Sequence, residues 1–167
     1  GSMTSFGHAC TFADYANVPV NSPSLFKNIP SMLINSNGPL AVNFFYVLKN
    51  LPWALKFLMN CRKEKVEDIS SSLANILHHS RLAYDQIFEE VDVSEYIKEE
   101  ENIYIYESKK AYEEAKFSTY LRTKNNIKVR ELSKKDIYQL EPNLAQIYHA
   151  GQLFVGSRHT TNPLAIS

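Results

Sequence analysis

Asn102-Ile103-Tyr104-Ile105-Tyr106-Glu107-Ser108 is the stretch on which the reading of the fold turns. Upstream of it apolar residues recur every three or four positions, as on a helix, whereas within it β-branched and aromatic residues follow one another. A strand is predicted over 102–107, with Tyr104 and Tyr106 on one face because successive strand side chains point to opposite sides. Ser108 follows as the cap of a helix that keeps Tyr112, Ala115 and Thr119 on one side. Residues 127–132 read as a second strand, and Ser133 as the cap of a short helix over 134–140 that Pro142 ends. Residues 145–149 and 152–155 read as a hairpin around Ala150-Gly151.

Upstream, Val66, Ile69, Leu73, Ile76, Ala83, Ile87 and Val91 hold a three-four spacing that Leu77, Tyr84 and Phe88 widen. One long helix over 64–91 is predicted, with Leu73 and Ile76 buried on its core stripe, and Asp92-Val93-Ser94 breaks it. Residues 43–60 are densely apolar, with Lys49, Lys56, Asn60 and Lys63 on one helical face; Pro52 implies a kink or two helices meeting at Leu51-Pro52. Two lysines, three asparagines and a proline argue against a membrane span in so short a stretch. Residues 4–38 lack periodicity and carry Pro19, Pro23, Pro30 and the turn Asn35-Ser36-Asn37-Gly38, so they read as a loop with one short helix near 24–28. Helices first, then strand, helix, strand, helix and hairpin, make the expected class α+β: helices packed on a mixed or antiparallel sheet. A single domain over 4–167 is expected, with a loop-rich lead-in (4–38), a helical part (39–101) and an α/β sheet part (102–167).

Eighteen acidic and eighteen basic residues leave no positive excess for nucleic acid, and no nucleic-acid partner is expected. Cys10 and Cys61 do not make a disulfide framework, and no leader pattern precedes a cleavage site, which predicts a cytoplasmic protein, with the inner face of the membrane left open as its place. His78 and His79 are adjacent, hence about 100° apart on a helix, and no C-x-x-C or H-x-x-x-H spacing occurs; no metal site is expected. At the end of the chain Asn162 and Pro163 suit a helix cap and first turn, yet only four residues follow Pro163, so the chain reads as part of a longer one.

The same segments carry a family likeness. Thr4-Ser5-Phe6-Gly7-His8-Ala9-Cys10 resembles the Thr-Ser-Phe-Ala-Asn-Ala-Gly stretch of the FAD-dependent D-amino-acid dehydrogenases and the wider D-amino-acid oxidase and glycine oxidase group. Leu140-Glu141-Pro142-x-Leu144 resembles that group's Leu-Glu-Pro-x-Leu, and Asn162-Pro163-Leu164-Ala165 its Asp/Asn-Pro-x-Ala opening of a helix. Gly38-Pro39-Leu40 running into Leu51-Pro52-Trp53 is similar to the dehydrogenase branch. The resemblance implies the substrate-facing domain of a flavoenzyme that moves hydride from an amino acid to FAD and, in dehydrogenases, electrons on to a quinone. It implies cofactor-side roles for Thr4, Ser5, Gly7 and His8. Cys10 stands where the family has glycine, which leaves that loop's backbone geometry in question.

A dinucleotide site needs glycines where the backbone approaches the pyrophosphate. Gly1, Gly7, Gly38, Gly151 and Gly156 form no G-x-G-x-x-G. FAD therefore belongs to the complete family enzyme, and none is expected to bind this chain, which reads as a fragment inactive by itself. No catalytic residue is assigned. His8 could donate to the flavin ring or be an exposed loop histidine. For substrate, Arg158 with His159 could clamp a carboxylate or be structural, and Tyr104 with Tyr106 could line a pocket or pack a core. The competing reading is a stand-alone helical module whose 43–60 helix meets a partner protein or the membrane surface. Self-association through that helix and the 103–106 strand is expected as well.

Overall fold

The computed structural model describes residues 11–25 and 44–166. Among them are five helices and two small antiparallel sheets, so the chain is α+β. It divides into two compact units, residues 1–18 with 73–167, and residues 19–72.

In the second unit the apolar run forms two helices, α1 (Phe44–Lys49) and α2 (Leu51–Met59). Pro52 lies in the first turn of α2, where a missing N–H is harmless; a continuous helix would have needed it to bond four residues back. Asn50 closes α1, its backbone N–H and its side-chain amide both donating to the Tyr46 carbonyl at 3.0 and 2.9 Å. No residue of α2 is buried. Cys61 is fully buried; its thiol donates to the Phe57 carbonyl at 3.4 Å, and burial pushes its pKa up.

The long helix is α3 (Lys63–Glu90). Its covered face differs from the predicted stripe: Ile76 is 65% exposed, Ile87 and Val91 are also exposed, and Leu73 is only half-buried. Leu73, Ala74, Leu77, Arg81, Asp85 and Phe88 are the half-buried residues on the first unit's part of the helix. Spacing of apolar residues alone could not reveal this face, because it is held partly by ion pairs of Arg81 with Asp14 and of Asp85 with Arg158.

Among the described residues the first unit holds six strands, β1 (Thr11–Phe12), β2 (Ile97–Glu99), β3 (Asn102–Tyr106), β4 (Val129–Ser133), β5 (Ala150–Phe154) and β6 (Arg158–Thr160), with α4 (Lys109–Lys124) after β3 and α5 (Lys134–Leu140) after β4. One sheet has the order β3-β5-β4 and the other β1-β6-β2. The expected hairpin around Ala150-Gly151 does not form. Ala150 starts β5, both edges of β5 are taken by β3 and β4, and no edge is left for residues 145–149. Strands β1, β2 and β6 are too short to have left a period in the sequence.

In the larger sheet, Leu132 and Leu153 pack with Ile137 of α5 on one face, joined by Ile103, Ile105, Leu144 and Tyr148. Gly151 is required there, since a Cβ would stand 3.0 Å from the Tyr104 carbonyl oxygen and 3.3 Å from Ile137. Ser133 caps α5 as the sequence implies, and its backbone N–H donates to Asp136 at 2.8 Å to complete a capping box. Ser108 caps α4 by accepting from Ala111 N–H at 3.2 Å. The far end of α4 closes with Asn126 at φ 63° and with Ile127 N–H donating back to Arg122 at 3.0 Å, a left-handed stop that asparagine tolerates.

Candidate functional site

Alternation on β3 puts Tyr104 and Tyr106 on the sheet face opposite the Leu153 core. Tyr104 pairs with Gln152, and Tyr106 donates from its hydroxyl to the Gln152 side-chain oxygen at 3.1 Å. Tyr15, from the segment after β1, stacks on Phe154 with centroids 4.4 Å apart, and Tyr104 meets Phe154 edge-on at 4.7 Å. Arg122 of α4 is buried over this cluster, its guanidinium carbon 4.8 Å from the Phe154 centroid and 5.3 Å from that of Tyr104, and its Nε donates to the Tyr15 carbonyl at 3.2 Å. Burial is the first cause that raises the pKa of Tyr15 and Tyr106 and lowers that of Arg122, since each charged form loses water. Tyr112 is pushed up to about 12 by burial and by a hydrogen bond to Glu131. These phenols stay protonated near neutrality, so the cluster can donate hydrogen bonds and pack aromatic area but supplies no ready general base.

A second cluster lies where β1, β6 and α3 meet. Arg158 and His159 are neighbours on β6 and therefore face opposite ways. His159 reaches toward Glu100, with 3.9 Å between Nε2 and the carboxylate. Arg158 faces α3, its side chain only 5% exposed, and one terminal nitrogen, Nη1, donates to Asp85. Its other two nitrogens, Nε and Nη2, are buried with no hydrogen-bond partner. The rings of Phe12 and Phe88 each lie 5.8 Å from its guanidinium carbon. Arg81, one helical turn before Asp85, donates to Asp14 and, at 2.6 Å, to the Gly156 carbonyl, with Glu99 at 3.6 Å. A cavity of about 210 Å³ opens among Phe12, Asp14, Ser80, Arg81, Tyr84 and Arg158. A second, of about 310 Å³, shares Asp14 and Arg81 and reaches Lys128 and Phe154.

Of the residues singled out in the sequence, Tyr104 and Tyr106 share one cluster, while Arg158 and His159 stand apart from it and from each other. Thr4, Ser5, Gly7 and His8 lie outside the described residues. Asp14, Tyr15, Arg81, Asp85 and Arg122 were not foreseen; the only signal was charge interrupting the half-buried helical faces at 81, 85 and 122. Among the described residues no group of three or more histidine, cysteine or acidic side chains is placed to hold a metal ion. The described glycines do not fit a flavin pyrophosphate either: Gly151 lies inside β5 against Ile137, Gly156 sits in a turn at φ 83°, and neither opens a helix.

Over 148 residues, 88% of the chain, it is 28% identical to a D-amino-acid oxidase of Bradyrhizobium diazoefficiens. Over 146 residues, 87% of the chain, it is 21% identical to a D-amino acid dehydrogenase of Vibrio vulnificus. The chain spans about a third of the length of these curated relatives, 35% in each case. No protein-family profile matches it, and no solved structure does. The likeness carried by the quoted motifs is thus a likeness to D-amino-acid oxidoreductases through most of the chain.

Proposed function

We propose that this chain is the substrate-side part of a flavin-dependent oxidoreductase acting on D-amino acids or related amines, with hydride transfer to FAD taking place in the complete enzyme and not in this part alone. The observation that carries the reading is similarity over nearly nine-tenths of the chain to two enzymes named for D-amino-acid oxidation. The chain's own residues would hold substrate, with hydrogen-bond donors and aromatic walls from Tyr104 and Tyr106 and positive charge from Arg158. The substrate-domain architecture of the oxidase family and a cytoplasmic setting belong to the same proposal. The test is the product of the whole gene that encodes this segment. It should purify with bound flavin and reduce a redox dye with D-amino acids but not with their L-enantiomers. A flavin-free product, or one indifferent to handedness, would overturn the reading.

One observation favours a second reading, a membrane-surface module. Phe45 is 80% and Trp53 65% exposed, and Tyr46, Leu55 and Met59 are exposed as well. Residues 44–63 carry Lys49, Lys56, Arg62 and Lys63 and no acid, which suits an anionic bilayer. Among the described residues no helix is long and apolar enough to cross a membrane. Co-sedimentation with phosphatidylglycerol vesicles but not with phosphatidylcholine ones is the expected result, and a dimer in light scattering without vesicle binding would replace the bilayer by a second copy.

A further inference from the structure

We propose that the cavity bounded by β1, β6 and the Ser80–Tyr84 turn of α3 is a binding site for a small organic carboxylate, with the Nε–Nη2 edge of Arg158 as its recognition element. Buried polar groups are nearly always hydrogen-bonded, because each one left without a partner forfeits its hydration. Arg158 leaves two donors in that condition although its side chain is 5% exposed. Those two are Nε and Nη2, the pair of parallel N–H groups that forms the planar fork matching both oxygens of a carboxylate. Asp85 engages Nη1, outside that fork, so it fixes the guanidinium without using the edge.

The surroundings select the ligand. Arg158 and Arg81 face three carboxylates here, Asp85 on the first and Asp14 with Glu99 on the second, so the cluster carries no net positive charge; recognition falls to the paired donors of the fork, and a monoanion is favoured over a dianion such as phosphate. Phe12, Leu77 and Tyr84 supply apolar wall, and about 210 Å³ limits the ligand to a few heavy atoms. Nε and Nη2 are closed to solvent here, so a side chain must move before a carboxylate can reach them; of the two rings 5.8 Å from the guanidinium carbon, Phe12 is the one that lines the cavity. Nothing in this site depends on flavin. It shares Arg158 with the substrate-side role proposed above and deepens that reading by naming the ligand chemistry, a D-amino acid being one carboxylate it would accept.

The experiment is titration of the chain with propionate, D-alanine, L-alanine, alaninamide and chloride at constant ionic strength, following arginine side-chain Nε–H resonances and the melting temperature. Propionate and both alanines should shift one Nε–H signal saturably and raise the melting temperature, while alaninamide and chloride do neither. Arg158→Met should remove that signal and weaken propionate binding roughly ten- to hundredfold, the weight of a charge-assisted pair of hydrogen bonds. Ser80→Leu, which fills the cavity and leaves the guanidinium in place, should also weaken binding and covers the case in which Arg158→Met fails to fold. The proposal is overturned if no carboxylate shifts the signal, if chloride acts as propionate does, or if Ser80→Leu binds normally. Propionate binding by the chain, alongside a whole-gene product that ignores D-amino acids, would keep this site and reject the oxidoreductase reading; the opposite pair of results would do the reverse.

Discussion

Replacing Asp85 with alanine should cost far more stability than removing the arginine it holds. Arg158 is 5% exposed and Asp85 is 41% exposed, so the two partners depend on each other unequally. Asp85→Ala strips Nη1 of its bond and leaves a buried cation whose Nε and Nη2 already lack partners. Breaking a fully buried pair from one side costs about 3–5 kcal/mol. Here the water that reaches Asp85 weakens the pair, and the two rings at 5.8 Å retain a cation–π attraction of roughly 1 kcal/mol. The expected loss is about 2–4 kcal/mol, from the buried-pair range reduced by those two effects. Arg158→Met instead removes the unsatisfied donors, keeps apolar volume between Phe12 and Phe88, and returns Asp85 to water; about 1 kcal/mol or less is expected, as for a volume-conserving change. The double variant should match Arg158→Met alone, because Asp85 then has nothing to hold. Urea unfolding of the four proteins gives the comparison through midpoints at constant slope. If Arg158→Met costs as much as Asp85→Ala, the reasoning from unequal burial is wrong.

Leu153 is 1% exposed at the centre of its cluster, and Leu153→Ala should lose about 2–5 kcal/mol in the same urea assay, as truncations in a packed core do. Gly151→Ala should destabilise by roughly 1–3 kcal/mol, because its nearest obstacle is the Tyr104 backbone, which cannot rotate away; a neutral result would mean β3 and β5 separate easily. Ser133 donates to the Asp136 carboxylate from hydroxyl and backbone and holds its pKa below the usual carboxylate range. The resulting stability is present above the unfolded carboxylate's pKa and fades as pH falls through the depressed folded value. Ser133→Ala should therefore raise the Asp136 midpoint in a carbon-detected NMR titration and flatten the acid limb of stability, and an unmoved midpoint would show the hydroxyl is idle. Substituting Phe45 and Trp53 together by serine should abolish sedimentation with anionic vesicles while leaving the melting temperature near its starting value, since both side chains are exposed.

Wherever local chemistry decides local structure, this sequence was sufficient. Ser108 and Ser133 announce the two helices they cap, alternation marks β3, and Pro52 limits the apolar run to a kink or a break, because capping bonds, pleat and a missing N–H act over four residues or fewer. The likeness to D-amino-acid oxidoreductases was likewise legible from short motifs. What the sequence could not supply was the partner of each element. Ala150-Gly151 looks like a turn until β3 and β4 occupy both edges of β5, and the apolar period of α3 points to Ile76 and Ile87 until Asp14 and Arg158 arrive opposite Arg81 and Asp85. Those ion pairs join residues 67 and 73 positions apart. A strand edge or a buried charge is stabilised by whatever the chain brings to it from a distance, and only the tertiary structure makes that choice.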